Sequence, residues 1–135
     1  MKLINLYLPI CFLFISIYGF SQDLTLVKTP VDETQKVTKG IASFYAKKFN
    51  GRKTTSGELF YNDKLTAAHK TLKFGTFVKV RNLKNDSTVI VKVNDRLPKN
   101  SKRSIDLSYK AAKQLNFINA GLTKVEITVL DSLKK

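Results

Sequence analysis

Two stretches near the middle of the chain alternate apolar and polar residues in the way a half-buried strand does. In TFVKVRNL the apolar positions are Phe77, Val78, Val80 and Leu83, and in STVIVKVND they are Val89, Val91 and Val93. The KNDS segment between them is built of turn formers, so the two stretches are predicted to form a hairpin. KVEITVL, beyond Gly121, alternates in the same way and is a last strand. TKGIASFYA, from Thr38 to Ala46, is strand-like and bounded by Gly40. The period changes in SIDLSYKAAKQLNF, where Leu107, Ala111, Ala112 and Leu115 recur at helical spacing and Asp106 or Ser108 can cap the helix. KKFNGRKTTSGELFYNDK is rich in Asn, Gly, Ser and Thr and reads largely as loop. Strands, one short helix and then a strand predict a small closed β-barrel with the helix over one end.

The longest apolar run has no strand or helix partner in this pattern. Residues 4 to 20, INLYLPICFLFISIYGF, follow a weakly basic start at Met1-Lys2 and end where Gly19 and Ser21 put small residues at a cleavage site. Residues 1–21 therefore read as a secretory signal peptide, with a retained membrane anchor as the alternative. Pro9 and the small-residue exit favour cleavage after Ser21. Cys11 lies inside the run and follows Ile10, which argues against a lipid-attachment site. Cleavage removes the single cysteine, so the mature chain would have no disulfide, thiol nucleophile or cysteine metal site. Residues 22–37 are polar, contain Pro30 and read as a linker with room for a short strand; residues 38–131 read as the folded domain.

Charge narrows the partners. The 135 residues carry 24 Lys and Arg against 10 Asp and Glu, a formal net charge of +14. Such a chain seeks acidic polymers. In an exported protein, placed in the periplasm or cell envelope, the abundant acidic polymer is the cell wall rather than nucleic acid, and no nucleic-acid motif is present. Many of the lysines need only be a solvated surface. We read no cofactor and no metal site, because one histidine and scattered carboxylates suit neither. The expected state is a monomer that does not stay inserted in a membrane after cleavage.

Few residues are left to do chemistry. Glu58 follows Ser56-Gly57 in the loop, just before Phe60-Tyr61. Asp95 stands at the exit of the most apolar strand, and Asp106 stands three residues after Arg103. Each has a structural reading beside the chemical one. Asp106 can be a helix cap or an ion-pair partner of Arg103, Asp95 a turn carboxylate paired with Arg96, and Glu58 a surface loop residue. The single histidine, His69 in LTAAHKTLKFGT, is by composition an ordinary packed histidine.

Five segments in order change those alternatives. GIASFYA (Gly40, Ala42, Ser43, Tyr45), TTSGE (54–58), LTAAHKTLKFGT (65–76), VKVNDR (91–96) and RSIDLSYKAA (103–112) resemble the rare lipoprotein A family, whose fold is a six-stranded double-psi β-barrel of mainly β structure, related to expansins, with one or two short helices. The resemblance covers about residues 40 to 130. It implies a peptidoglycan lytic transglycosylase. Such an enzyme breaks the bond between N-acetylmuramic acid and N-acetylglucosamine without water and leaves 1,6-anhydro ends. The substrate would be glycan strands, with or without their peptide stems. It also implies Glu58 and Asp95 as active-site carboxylates with His69 beside them. On this reading Asp95 is general acid and then base, Glu58 orients substrate or stabilises positive charge and also raises the proton affinity of Asp95, and His69 hydrogen-bonds one of the two. Tyr45, Ser56, Tyr61, Thr66 and Arg96 are the candidates for substrate contact, with Tyr45, Phe60 and Tyr61 able either to stack on sugar rings or to pack the barrel. The family usually has Gly where this chain has Leu97, Pro where it has Lys73 and Ala where it has Thr55. The alternative function is a non-catalytic, expansin-like module that binds wall polysaccharide.

Overall fold

The computed structural model describes residues 35–130. The segment read as a signal peptide and most of the linker lie outside the described residues. Six strands form a closed ring. They are β1 (Val37–Phe44), β2 (Thr66–His69), β3 (Phe77–Asn82), β4 (Thr88–Arg96), β5 (Ile105–Leu107) and β6 (Thr123–Leu130). The ring order is β1-β5-β2-β4-β3-β6, closing back onto β1. Two pairs, β1 with β5 and β2 with β4, run parallel, and the other four pairs are antiparallel. Closure removes every sheet edge, which an open sheet would otherwise have to protect.

The β3–β4 hairpin forms as the alternation predicts. Val78 faces Val91 and Val80 faces Val89 across it, all buried. Asp86 takes a positive φ of 61° in the connecting turn, a conformation Asp tolerates. From β5, β6 and β2, Ile105, Leu107, Val125, Ile127 and Ala67 complete the barrel interior, each no more than 1% exposed. The single α-helix among the described residues, α1 (Tyr109–Gln114), closes one end with Ala111 and Ala112. A 3₁₀ turn at Lys47–Phe49 is the other helical piece in the long loop after β1. Among the described residues no helix is long and apolar enough to cross a membrane.

The expected helix starts later than its periodicity suggested. Ile105, Asp106 and Leu107 alternate in, out and in as β5, between β1 and β2. Ser108 is the N-cap, its hydroxyl accepting the Ala111 amide, and Asp106 caps nothing. Tertiary pairing overrides the helical spacing here, because burying Ile105 and Leu107 inside the ring outweighs one extra helical turn.

Gly40 does not bound β1 but lies within it, opposite Val125 of β6. A Cβ at this position would stand 1.9 Å from the Ser104 hydroxyl and 2.5 Å from its Cβ. Ser104 is held in place by its backbone N–H, which donates a hydrogen bond to the Ile41 carbonyl at 2.8 Å. Gly40→Ala should therefore destabilise the barrel by about 1–3 kcal/mol through overpacking. Urea unfolding would measure this; an unchanged midpoint would mean that the Ser104 loop yields freely.

Candidate active site

Cross-strand register assembles one outward-facing row. Ser43 on β1 faces Asp106 on β5, Asp106 faces Ala68 on β2, and Ala68 faces Asp95 on β4. Ala42, Ile105 and Ala67, the chain neighbours of Ser43, Asp106 and Ala68, point into the core, so those three side chains lie on the outer face. The β2–β4 register slips by one between Ala67 and Ala68, so that β4 passes Asn94 without a partner. Such a slip re-aims side chains locally.

Asp95 is the most tightly held carboxylate of the row. Its Oδ2 accepts the Tyr45 phenol at 2.5 Å. Its Oδ1 accepts the Thr55 amide at 2.9 Å, the Thr55 hydroxyl at 2.8 Å and its neighbour Arg96's amide at 2.8 Å. Burial pushes its proton affinity up, but the Tyr45, Thr55 and Arg96 donors outweigh burial and hold the carboxyl below its usual range. Tyr45 is affected in the opposite sense. Burial first, and then its bond to Asp95, push the phenol far above its ordinary value. Its ring packs against Phe60, centroids 4.3 Å apart, and against the edge of Phe49. Tyr45 thus supports Asp95, and Phe60, 2% exposed, is core.

Glu58 does not hydrogen-bond Asp95. Its Oε1 accepts Lys92 Nζ at 2.9 Å and its Oε2 accepts Asn94 Nδ2 at 3.2 Å. The Lys92 bond, followed by Asn94, lowers its proton affinity. The expectation that Glu58 raises the proton affinity of Asp95 is therefore corrected: each carboxylate is surrounded by its own donors. Lys92 and Asn94 were not singled out in the sequence, although their spacing of two on one strand, beside Asp95, was the available signal.

The loop between the two carboxylates is pinned to β4. Ser56 donates its amide to the Asn94 carbonyl at 3.3 Å, and its hydroxyl lies 2.9 Å from that of Thr54. Ser56 is a turn residue of that loop. Gly57 takes φ 92°, where only glycine is at ease.

His69 takes no part in either carboxylate's hydrogen bonding. Its Nδ1 accepts the amides of Thr71 and Leu72, both at 3.2 Å, so it closes the turn after β2. Burial, then the nearby Arg96 and lysines, depress its proton affinity and keep the ring neutral, as an acceptor there must be. The expected hydrogen bond to a carboxylate is not made. Arg96 is likewise committed. Its Nη1 donates to the carbonyls of His69 (3.0 Å) and Leu72 (2.8 Å), and its guanidinium lies 4.4 Å from the Phe74 ring centroid. Asp106 accepts the Ser43 hydroxyl at 2.6 Å and binds Arg103 through both oxygens, at 2.8 and 3.1 Å. Leu97 turns inward, 5% exposed and without a positive φ, so the chain after Asp95 needs no glycine.

Two of the substrate-contact candidates line an open groove beside β4. Tyr61, 39% exposed, stands at its rim, and Thr66 lies in its wall. The groove also contains Glu58, Lys92 and Asn94 and has a volume of about 440 Å³.

A family model described as lytic transglycolase matches residues 37–127. Over 95 residues the chain is 50% identical to a probable endolytic peptidoglycan transglycosylase RlpA of Treponema pallidum, covering 70% of this chain and 30% of that protein. It is 51% identical over 94 residues to the endolytic peptidoglycan transglycosylase RlpA of Pasteurella multocida, covering 68% and 32%. With the probable endolytic peptidoglycan transglycosylase RlpA of Aquifex aeolicus it shares 49% identity over 100 residues, covering 74% and 44%. The chain therefore spans less than half the length of these relatives. Among solved structures, an apo expansin of Clavibacter michiganensis superposes with a TM-score of 0.58 at 23% identity, over 72% of this chain and 52% of that one. A Streptomyces papain inhibitor does so at 0.57 and 20%, over 70% and 96%. These two are likenesses of fold, and with the ring order they make the barrel a double-psi β-barrel.

Proposed function

We propose, since the chain belongs to the lytic transglycolase family, that it cuts peptidoglycan glycan strands and leaves 1,6-anhydro-muramic ends. The observation that carries the reading is the mount of Asp95. A carboxylate at the end of a barrel strand, held by four donors, is fixed in place and in charge. That charge state revises the order of its work. Asp95 starts as an anion and acts first as base. It takes the proton of the muramic C6 hydroxyl as that oxygen bonds to C1 and the glycosidic bond breaks. It then returns the same proton to the departing oxygen, so no water is consumed and the carboxylate ends as it began. Its charge also favours the oxocarbenium-like transition state. Glu58, held by Lys92 and Asn94, lines the groove in which the strand would lie. Lysines near the groove suit acidic substituents of the wall. Export by residues 1–21 would bring the protein to that substrate in the cell envelope.

The test is to incubate the purified protein with intact wall and with peptide-stripped strands, and to look for anhydro-muramic ends by mass spectrometry. Ends released from either substrate support the reading. Salt-sensitive retention on the wall with no product would overturn it and leave the expansin-like binder.

The depressed proton affinity of Asp95 sets the acid limb of activity. Asp95 must be ionised to act as base, so activity is retained down to a pH below the ordinary aspartate range and lost as pH falls through its lowered pKa. Tyr45→Phe removes a donor that favours the anion, so the acid limb should move to higher pH. A limb that stays in place in the variant would show that Tyr45 does not tune Asp95.

A further inference from the structure

The outer face of the barrel has a second hollow that the proposed chemistry leaves unused. It lies where β1, the start of β6 and the turn after β3 meet. Ile41, Leu83, Lys84, Leu122, Thr123 and Lys124 line it, and its volume is about 470 Å³. Register builds it. Ala42 points into the core, so its neighbour Ile41 points outward, and Ile41 faces Lys124 across the β1–β6 pair. The Leu83 amide donates to the Lys124 carbonyl at 3.0 Å, which ties the turn to the same strand. Ile41 is 37% exposed and Leu122 54%, so two large apolar side chains meet water at one place. Apolar residues scattered singly are ordinary on a surface, but apolar residues gathered around a hollow mark a contact site. The hollow lies across the ring from Asp95, since β1 and β4 are three strands apart in either direction. It shares no residue with the groove beside β4.

Charge and shape name the occupant. Lys84 and Lys124 are exposed, and neither has an ion-pair partner among the described residues. The carboxylates nearest to them along the chain, Asp86 and Glu126, are both bound by Arg81, at 2.7 and 3.2 Å. The hollow therefore combines apolar walls with two uncompensated positive charges, Lys84 following Leu83 and Lys124 opposite Ile41. It also continues sideways. Lys84, Leu122 and Thr123 help to line a second hollow of about 340 Å³, which extends to Asn116 and Ala120. A bilayer receives apolar side chains that protrude, and it would leave such hollows unfilled. We propose that this surface docks an acidic segment of a partner protein, in which a large apolar side chain stands between carboxylates. The apolar side chain fills the space among Ile41, Leu83 and Leu122, and the carboxylates meet Lys84 and Lys124. A partner bound there leaves Asp95 open across the ring. The proposal does not rest on the glycan reading, so binding tests it separately.

The experiment follows backbone amide shifts of the isotope-labelled protein during titration with three capped peptides of equal length. One has a leucine between pairs of aspartates, the second has serine in place of that leucine, and the third has lysines in place of the aspartates. The first should give saturable shifts at residues 41, 83–84 and 122–124, and the other two should bind about threefold or more weakly. Leu122→Ser removes an apolar side chain that is already exposed, so it should change the melting temperature by less than about 3 °C. It should weaken binding of the first peptide about three- to tenfold. Lys84→Gln combined with Lys124→Gln should weaken it about two- to tenfold, most at low salt. No saturable shift with the first peptide, equal binding of the serine peptide, or shifts confined to other residues would each overturn the proposal. So would tighter binding to phosphatidylglycerol vesicles, which would make the surface a membrane contact. Shifts of the same amides on concentrating the protein alone would overturn it too, as a contact between copies. Anhydro-end release by Leu122→Ser should equal that of the wild type, and its absence from both would tell against the glycan reading alone.

Discussion

Asp95→Asn should lower the release of anhydro-muramic ends by about 10²- to 10⁴-fold, the usual contribution of a proton-transferring group. The substitution keeps the shape of the side chain. Its remaining oxygen can still accept the Thr55 and Arg96 amides, and the new amide group can donate to Tyr45, whose hydroxyl then turns to accept. What is lost is the ability to take up a proton. A modest stability effect accompanies the loss and has a defined sign. Because the folded-state proton affinity of Asp95 is depressed, its charge adds stability above the unfolded-state pKa, and that contribution fades as pH falls through the folded value. The variant should thus be slightly less stable than the wild type near neutrality and equal to it in acid. Mass spectrometry of digested strands and unfolding curves at two pH values would check both. Full product release by a folded Asp95→Asn protein would remove Asp95 from the chemistry.

The largest stability loss is expected far from that site, at Asn82→Ala. Asn82 ends β3 and is 1% exposed. Its Nδ2 donates to the Leu115 carbonyl at 2.8 Å, while its Oδ1 accepts the Lys84 amide at 3.0 Å and the Thr123 hydroxyl at 2.8 Å. One side chain thereby joins the β3–β4 turn, the end of α1 and the start of β6. The Leu115 carbonyl would keep Asn85 Nδ2 and the Ser87 hydroxyl, both at 3.1 Å, but Lys84 and Thr123 would lose their acceptor. Two orphaned donors and a small cavity should cost about 2–4 kcal/mol. Denaturant unfolding measures it. A loss below about 0.5 kcal/mol would mean that water replaces the amide without penalty. Glycan cleavage at a temperature where the variant is folded should be unaffected, since Asn82 is not among the residues that hold Asp95 or line its groove.

Asn82 also shows where sequence reading loses its grip. In RNLKNDS it is one polar residue among several at a turn, and nothing local marks it as buried. The strands that alternate over six or more residues, β3, β4 and β6, were legible because each has one face in the core and one in water. The short strands were not. Thr66, Ala67 and Ala68 are all buried, so β2 presents no alternation at all. β5 has three residues and runs directly into a helix whose spacing absorbs them. These two strands came into view through the family resemblance and not through periodicity. They are the inner members of the parallel pairs, where long-range pairing supplies what local pattern lacks.

The sequence by itself determined the barrel class, the hairpin, the excess of positive charge and the small set of side chains able to do chemistry; it left the helix cap open between Asp106 and Ser108. It also put Asp95 at a strand exit and Glu58 in a loop. Which groups touch was decided by the tertiary structure. Closure of the ring brings Tyr45 to Asp95 across 50 residues and Lys92 to Glu58 across 34. Those contacts favour the charged form of Asp95, and they leave His69 and Arg96 bonded to backbone. The reason is physical: proton affinity depends on donors within hydrogen-bond distance and on burial, and neither is written in the order of residues along the chain.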